Sequence, residues 1–383
     1  MTTRTNAPQA PNAPQAPNAP QALRALEVAP RLDRLRARLE GAGVDALVVS
    51  NLANVRYLTG FTGSAGLLAV TPAGALLTTD GRYRTQSAEQ VVRAGTSVEL
   101  SVGALAAQRD AVRSFVGARS RVGLEADHVC WSDSRRWGEL LGEVHPTSGV
   151  VEALREVKDD GEIDRMGRAA AIADAALHET LPLLSDGLTE EEFALALDTA
   201  MRGGGAEASA FETIVASGPN SAKPHHRPTG RAIGHGEPVV VDFGALFEGY
   251  RSDMTRTFVV GGEPTGELAR VFEVVREAQA RGVAAVAPGV ECCDVDDVCR
   301  TVISAAGWAD RFEHGTGHGV GLDIHEAPAV SALGAATLAR AMVVTVEPGV
   351  YLPGTGGVRI EDTLVVTETG SQALTNFPKD VAA

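Results

Sequence analysis

Cysteine is scarce in the 383-residue sequence, and acidic residues outnumber basic ones. The four cysteines, Cys130, Cys292, Cys293 and Cys299, form no CxxC pair, and the two adjacent ones cannot readily bridge each other. We therefore expect free thiols in a reducing cytosol and not a disulfide framework. The 34 basic and 49 acidic side chains give a formal net charge of −15. Such an excess of negative charge disfavours nucleic acids and anionic membranes as partners.

Long apolar runs are also missing. No segment approaches the ~18–20 consecutive apolar residues that a membrane-spanning helix needs. The sequence begins with repeats of APQAPN and has no apolar signal-peptide core, so we expect no secretory leader and a cytoplasmic location. Because this tract offers little to bury, residues 1–30 are predicted to form a disordered tail rich in Pro, Ala, Gln and Asn.

The periodicity of apolar residues divides the rest of the chain into two domains. Residues 31–42 are predicted to form an amphipathic helix with leucines at 32, 35 and 39, followed by a buried strand at 44–51. Alternating helical and extended segments make residues 31–153 an α/β domain. A charged stretch at 154–166 marks the boundary to a second domain, residues 154–383.

The second domain has the pattern of an α+β fold. Strands are predicted at 239–245, 252–260, 342–352 and 357–367, and helices at 265–285 and 294–306. A further helix should begin after Thr189, where acidic residues fill the first turn. Two pairs of strands flanked by helices indicate a mainly antiparallel sheet with helices on one face.

Four carboxylates interrupt strands that are otherwise apolar. They are Asp242, Asp253, Glu347 and Glu361. An isolated buried carboxylate is costly, so such groups are normally paired or bound to a metal. Any single one could point outward from a half-exposed strand, but four in four apolar strands favour a shared site.

His318 adds one imidazole to this set, in the glycine-rich segment HGTGHGVGLDIHE at 314–326. Four carboxylates and one nitrogen donor suit Mn²⁺, Co²⁺ or Fe²⁺ in a two-metal site better than a single tetrahedral Zn²⁺. Two metals a few ångströms apart can share a bridging water and lower its pKa, which yields a hydroxide nucleophile near neutral pH. Spacing alone does not prove that the five side chains converge.

The same residues carry a family resemblance. The segments VVVDFGALFEGYRSDMTRTFVV, HGTGHGVGLDIHE, VVTVEPGVYL and GVRIEDT together resemble the pita-bread-fold metallopeptidases, in particular Xaa-Pro aminopeptidases and Xaa-Pro dipeptidases. NVRYLTGFTGS and TTDGRYRTQ resemble the amino-terminal domain of this branch. The resemblance implies a creatinase-like α/β amino-terminal domain followed by a pita-bread catalytic domain with a curved antiparallel sheet.

The resemblance also implies a ligand set for two divalent ions, most simply Mn²⁺, with Co²⁺, Fe²⁺ or Zn²⁺ as alternatives. Asp253 would contact both metals or chelate one, and Glu361 would bridge them. Glu347 would serve as a ligand and a proton shuttle. The implied metal ligands are Asp242, Asp253, His318, Glu347 and Glu361.

Other positions match family residues around the substrate. His225 matches the histidine near the scissile bond, and His325 matches one that stabilises the tetrahedral intermediate. Phe211, His314 and Arg359 match positions that line the substrate pocket, although a structural role for His314 is equally compatible with the sequence. His226 is predicted to be an exposed neighbour of His225.

The implied reaction is hydrolysis of the bond between an N-terminal residue and a following proline. A dipeptidase must recognise the terminal carboxylate, and arginine is the natural group for that task. The run HEAPAVSALGAATLAR has no basic residue before Arg340, so we favour an aminopeptidase that acts on peptides with proline at the second position. An Xaa-Pro dipeptidase is the alternative, because Arg359 or the amino-terminal domain could bind a carboxylate. The resemblance also implies a homodimer.

Other functions of the same fold agree with the sequence less well than an Xaa-Pro peptidase does. A metal-free creatinase-like hydrolase or a non-catalytic peptide-binding protein should lack some of the five ligands, and all five are present. Methionine aminopeptidases usually lack the accompanying amino-terminal domain.

Overall fold

The computed structural model describes residues 22–117 and 121–379. In the amino-terminal half, the leucines of the first helix are the core-facing stripe that their spacing predicts, because Leu32, Leu35 and Leu39 are each at most 2% exposed. The elements of this half are α1 (Arg31–Leu39), β1 (Ala46–Val49), α2 (Leu52–Thr59), β2 (Leu67–Thr71), β3 (Gly74–Thr79), α3 (Arg84–Arg93), β4 (Glu99–Val102), α4 (Leu105–Val116), β5 (Val122–Glu125), α5 (Trp131–Leu141) and β6 (Val144–Thr147).

The six strands form one mixed sheet in the order β4-β3-β2-β1-β5-β6. β2 pairs antiparallel with β1 and β3, whereas β4, β5 and β6 pair parallel with their neighbours. The mixed sheet with its helices confirms the expected α/β amino-terminal domain.

The residues just before α1 differ from the tail prediction. Arg24 forms a hydrogen bond and ion pair of 2.6 Å with Asp164, and the backbone N–H of Glu27 donates to Asp159. Val28 is buried. Residues 22–30 are therefore attached to the second domain by these contacts, and the tail boundary at residue 30 is wrong. Residues 1–21 of the predicted tail lie outside the described residues.

The second half is built from helices around antiparallel strands. Its elements are α6 (Glu152–Arg155), α7 (Asp160–Thr180), α8 (Glu190–Gly203), β7 (Ala208–Ser209), β8 (Ile214–Ser217), β9 (Pro238–Phe243), β10 (Ala245–Phe247), β11 (Tyr250–Arg251), β12 (Met254–Val259), α9 (Gly266–Ala285), α10 (Cys292–Ala305), β13 (Gly317–Gly319), β14 (Glu326–Val330), β15 (Val343–Val346), β16 (Gly349–Leu352), β17 (Gly356–Arg359), β18 (Asp362–Val366) and β19 (Ser371–Ala373).

All strand pairs of this half are antiparallel, as the sequence predicts. The strand orders are β14-β13-β15-β18-β19, β12-β9-β8, β11-β10-β7 and β16-β17. The predicted helix after Thr189 is α8, and its first turn is closed by a capping box between Thr189 and Glu192. The predicted strands at 342–352 and 357–367 are each broken into two, β15 with β16 and β17 with β18.

The two halves share a hydrophobic core. The leucines of α1 and the strands of the amino-terminal sheet belong to the same buried cluster as Tyr250, Val320 and Val343 of the second half. Arg31, 1% exposed, donates to Asp159 at 2.6 Å across the same boundary. The amino-terminal domain therefore completes the core of the second half.

The four cysteines are free thiols, as expected. Within residues 22–117 and 121–379, no helix is long and apolar enough to cross a membrane.

Gly244 lies at a close approach of two chain segments. A Cβ atom at this position would lie 1.9 Å from the carbonyl oxygen of Ser252. Ser252 in turn accepts a hydrogen bond from the backbone N–H of Ala245 through its hydroxyl and donates its own N–H to the Ala245 carbonyl. A side chain at Gly244 would separate the chain segments that carry Asp242 and Asp253.

We expect Gly244→Ala to lower the free energy of unfolding by about 1–3 kcal/mol, because the added methyl group would clash with the backbone at Ser252. Gly167→Ala is the matched control. A Cβ at Gly167, inside α7, meets nothing within 4 Å, so alanine should raise stability by about 0.5–1 kcal/mol. Urea denaturation of both variants measures the difference, and equal stability of the two would contradict the close approach.

Candidate active site

The paired strands β9 and β12 bring two of the four strand carboxylates together. Asp242 is the penultimate residue of β9 and pairs in register with Thr255, while Asp253 directly precedes β12. Asp253 is 5% exposed. The apolar residues around them, such as Val241, fill the core on the alternate face of the strand.

The other two carboxylates lie where strands break. Glu347 follows β15 and precedes Pro348, which cannot donate to a ladder and so ends the strand. Glu361 lies between β17 and β18, and its N–H donates to the carbonyl of Thr255 on β12. The strand breaks therefore turn both side chains toward β9 and β12, which a continuous strand pattern did not predict.

His318 lies on the short strand β13 and completes the cluster. Its Nε2 is 3.5 Å from Oδ2 of Asp253 and 3.4 Å from Oε1 of Glu347. Its Nδ1 is 3.0 Å from the carbonyl oxygen of Gly319. Because a carbonyl can only accept, Nδ1 carries the proton, which leaves the lone pair of Nε2 directed at the carboxylates.

The donor atoms are close enough for a common cation. One potential ligand atom each from Asp253, His318 and Glu361 lies within 4.8 Å of the others. Oδ1 of Asp242 and Oε1 of Glu361 are buried and have no hydrogen-bond partner within the described part of the chain. Buried oxygens without partners are costly unless something else satisfies them. The donor set and these two oxygens fit hard divalent cations.

The electrostatics of the cluster agree with this interpretation. Burial, reinforced by the charges of neighbouring carboxylates, raises the pKa of Asp253 and of Glu361 well above the usual range. Burial raises the pKa of Glu347 to about 8, although Arg359 opposes the shift. Without cations the protein therefore resists full ionisation of these groups.

Arg359 forms an ion pair with the carboxylate cluster. Its Nη2 donates to Oδ2 of Asp242 at 2.7 Å, and its Nη1 donates to the hydroxyl of Tyr351 at 2.8 Å and to the carbonyl of Pro224 at 3.2 Å. Its side chain is only 3% exposed. Arg359 borders the cavity, but its donors serve protein acceptors, so the structure does not support its predicted contact with substrate.

His314 is held in a similar way. Its Nδ1 is 2.8 Å from the carbonyl of Gly315, and its Nε2 is 2.8 Å from the hydroxyl of Tyr351. Burial lowers the pKa of His314 to about 4. Because both ring nitrogens have protein partners, the geometry favours the structural role over polar contact with substrate.

A cavity of about 420 Å³ opens over the cluster. It contains all the side chains singled out from the sequence, namely Phe211, His225, Asp242, Asp253, His314, His318, His325, Glu347, Arg359 and Glu361. The ring centroids of His318 and His325 are 4.4 Å apart, with the rings at 70°. The structure therefore brings the predicted residues to one place.

Sequence reasoning missed part of the cavity wall. His226 is not an exposed neighbour: its side chain is 8% exposed, and its Nε2 lies 2.9 Å from Oε2 of Glu190. Arg227 and Glu212 also line the cavity and form an exposed ion pair of 3.2 Å. The buried Glu190 belongs to the acidic run after Thr189, where the pattern indicated only a helix start.

A carboxylate-rich cavity lies in an antiparallel domain that follows a mixed α/β domain, and this arrangement agrees with a metallopeptidase. The chain belongs to metallopeptidase family M24, whose model matches residues 164–368, and residues 31–157 match the creatinase/prolidase N-terminal domain. It is a peptidase of the prolidase or Xaa-Pro peptidase type, and this family relationship confirms the expected fold.

Individual relatives cover almost the whole chain. An uncharacterised peptidase of Bacillus subtilis, YqhT, is 40% identical over 92% of this chain and 99% of its own. The solved structure of the Xaa-Pro dipeptidase from Bacillus anthracis is 39% identical, with a TM-score of 0.88 and coverage of 92% and 99%. That of the X-Pro aminopeptidase from Thermotoga maritima is 35% identical, with a TM-score of 0.82 and the same coverage.

The raised pKa of Glu347 predicts how the metal-free protein responds to pH. A carboxyl whose pKa rises from 4.5 to about 8 on folding keeps its proton where the unfolded chain has lost it. Its contribution to stability is present below about pH 4.5 and falls as pH rises toward 8, by at most about 1.4 kcal/mol per pH unit.

Glu347→Gln removes this titration. In chelator-treated protein, we expect the stability of the wild type relative to Glu347→Gln to fall steadily between pH 5 and pH 8. Chemical denaturation of both proteins across this range measures the gap. A gap independent of pH would show that Glu347 is ionised in the folded metal-free protein.

Proposed function

We propose that the chain is a dinuclear-metal Xaa-Pro peptidase that hydrolyses the bond between an N-terminal residue and a following proline. The convergence of four carboxylates and one imidazole in one cavity carries the proposal. The proposed ligands are Asp242, Asp253, His318, Glu347 and Glu361. An oxygen-rich set with one nitrogen suits Mn²⁺ best, ahead of Co²⁺, Fe²⁺ or Zn²⁺.

Two bound divalent ions would supply Lewis acidity and lower the pKa of a water molecule that attacks the scissile carbonyl. The side chains around them would divide the remaining work. Glu347 would take the proton of the attacking water and deliver it to the proline nitrogen as that bond breaks. His325, next to His318, would donate an N–H to the oxygen on which negative charge develops.

His225 would complete the substrate contacts. It borders the same cavity, and its charge contributes to the lowered pKa of His325, for which burial is the larger cause. Phe211 would provide apolar surface for the proline ring. A proline nitrogen carries no hydrogen in a peptide, so the pocket must recognise the ring by shape and not through an amide donor.

Action on peptides that continue past the proline is our first proposal for substrate length. Arg340, the first basic residue after the histidine segment, does not line the cavity: it pairs with Glu368 at an exposed site, and its side chain is 63% exposed. Arg359 does line the cavity, but its guanidinium donates to Asp242, Tyr351 and Pro224, so it is already engaged by protein acceptors. The Thermotoga relative is named as an X-Pro aminopeptidase.

An Xaa-Pro dipeptidase is the second candidate, and Arg227 is the observation that favours it. Arg227 lines the cavity, its side chain is 80% exposed, and its one ion-pair partner among residues 22–117 and 121–379 is the exposed Glu212. A guanidinium so placed could exchange that partner for the carboxylate of a dipeptide. Relatives named Xaa-Pro dipeptidase include the Bacillus anthracis protein and one from Pyrococcus furiosus that is 34% identical over 92% of this chain.

A homodimer and a cytoplasmic location stay predictions. Both come from the resemblance and the composition.

The metal assignment is tested by two variants with opposite expectations. Asp253→Ala should abolish turnover and lower the bound metal, because it removes a ligand from the centre of the cluster. His325→Ala should lower kcat by about 10²-fold while metal content stays near that of the wild type. Metal analysis and peptide hydrolysis are measured on the same preparations. An Asp253→Ala enzyme with full metal and activity would refute the ligand assignment.

Substrate length is tested by mass spectrometry of products. The Mn²⁺-loaded enzyme is given Ala-Pro-Ala, Ala-Pro and Ala-Pro-amide separately. Release of alanine from the tripeptide and the amide, with little from the dipeptide, supports the aminopeptidase. Cleavage of the dipeptide alone makes the enzyme a dipeptidase, and no cleavage of any peptide refutes the proposed function.

Arg227→Ala identifies the group responsible if the dipeptide is cleaved. We then expect the KM for Ala-Pro to rise about 10- to 100-fold, as for loss of a charge-assisted hydrogen bond, with little change for the amide. Lys223→Ala is the matched control, because Lys223 is an exposed cation of the same segment that does not line the cavity. Equal effects of the two substitutions on the KM for Ala-Pro would show that Arg227 does not bind the carboxylate of the dipeptide.

A further inference from the structure

His225 reaches the cavity without a hydrogen bond of its own. Within residues 22–117 and 121–379, no partner donates to or accepts from its ring. An imidazole that must meet a substrate at a defined distance needs its backbone fixed if its ring is free. The positions on either side of His225 therefore decide where the ring lies.

Both neighbours of His225 are anchored. The carbonyl of Pro224 accepts from Nη1 of Arg359 at 3.2 Å, and Nε2 of His226 lies 2.9 Å from Oε2 of Glu190. The first anchor connects the segment to the carboxylate cluster, since Arg359 also donates to Asp242. The second anchor connects it to α8, which contributes no residue to the cavity wall among those described.

Glu190 holds the whole segment and not only His226. Its Oε1 accepts from the N–H and the hydroxyl of Ser217, at 2.8 and 2.7 Å, and from the side-chain amide of Asn220 at 3.0 Å. Its Oε2 accepts from the N–H and the hydroxyl of Thr229, at 3.1 and 2.8 Å, besides the contact with His226. One carboxylate thus ties together the two ends of residues 217–229.

This carboxylate is buried and ionised. Its residue is fully shielded from solvent. Burial alone would raise the pKa of Glu190, but the hydrogen bonds from Asn220, His226 and Ser217 outweigh it and lower the pKa to about 2. An ionised carboxylate only accepts, so Nε2 of His226 is the donor in their hydrogen bond.

Helix capping does not explain why this carboxylate is buried. The capping box of α8 is already complete, because the hydroxyl of Thr189 accepts from the N–H of Glu192 and Glu192 accepts from the N–H of Thr189. Glu190, the first residue of the helix, turns its side chain away from the helix end toward residues 217–229. In the described part of the chain, the six hydrogen bonds that its carboxylate accepts all come from that segment.

We infer that Glu190 is a positioning residue for His225: it fixes the backbone of residues 217–229 so that the His225 ring meets the substrate in the cavity. The inference rests on the proposed function, because His225 has a task only if the cavity cleaves peptides. Glu190 itself touches neither the cavity nor the carboxylate cluster.

A double-mutant cycle between Glu190 and His225 tests this inference. Glu190→Gln keeps the shape but replaces one acceptor oxygen by an amide that faces donors. In Mn²⁺-loaded enzyme, with the best cleaved of the three peptides, kcat should fall by about 10- to 100-fold while metal content is unchanged. In the His225→Ala background, the same substitution should change kcat less than about threefold, because its target is already absent.

Glu162→Gln is the matched control. Glu162 is also a buried carboxylate near the start of a helix, and it accepts from the N–H of Asp159 and the hydroxyl of Tyr250, neither of which belongs to residues 217–229. Its loss should affect thermal stability, with an effect on kcat that is the same in the presence and absence of His225. Thr229→Val is a second, milder variant. It removes the hydrogen bond from the Thr229 hydroxyl to Glu190 and does not change a residue that lines the cavity.

The outcomes separate the inference from the proposed function. A kcat loss for Glu190→Gln or Thr229→Val that disappears without His225 supports positioning. A loss of equal size in both backgrounds, or no loss in a folded variant, overturns it while the peptidase assignment stands. A wild-type enzyme that cleaves none of the three peptides overturns the proposed function, and the inference with it.

Discussion

Mutual repulsion among buried carboxylates is the constraint on which the catalytic half of this protein depends. Asp253 and Glu361 are almost completely buried, and the charges of neighbouring acids add to the cost of ionising them. No arrangement of apolar neighbours removes that cost, whereas divalent cations do. The fold contributes by holding the acids at strand breaks and in a tight strand pair, so that they cannot move apart. Arg359 is a buried cation that contacts the cluster, through Asp242.

This constraint explains why much of the site could be predicted from sequence. Acids such as Asp242 in VVVDFGA and Glu347 in VVTVEPG contradict the local apolar pattern, and such contradictions mark functional positions. The α/β and α+β halves followed from periodicity. The strand breaks at Pro348 and Glu361 did not, because an apolar run gives no sign of the bend that a distant strand imposes.

One physical reason explains why the surroundings of Glu190, His226 and Arg227 could not be predicted from the sequence. The burial of Glu190 depends on a segment about 30 positions later, and nothing near Thr189 indicates that partner. The sequence predicts an exposed His226 for the same reason, because two adjacent histidines cannot be distinguished until the fold places one of them next to a carboxylate. Arg227 is visible as a charge in the sequence, but only the folded wall places it beside the cavity.

The core shared by the two halves determines what truncation of the chain would do. Tyr250 and Val343 of the catalytic half are buried in the same cluster as the leucines of α1, and Arg155 forms ion pairs with Asp323 and Glu326 on either side of His325. Loss of the first 150 residues would expose an apolar surface and remove Asn54, whose side-chain oxygen accepts a hydrogen bond from Arg155 at 2.7 Å. In this chain the amino-terminal domain is therefore not an interchangeable module. A truncated chain would lack part of the core that buries Tyr250 and Val343.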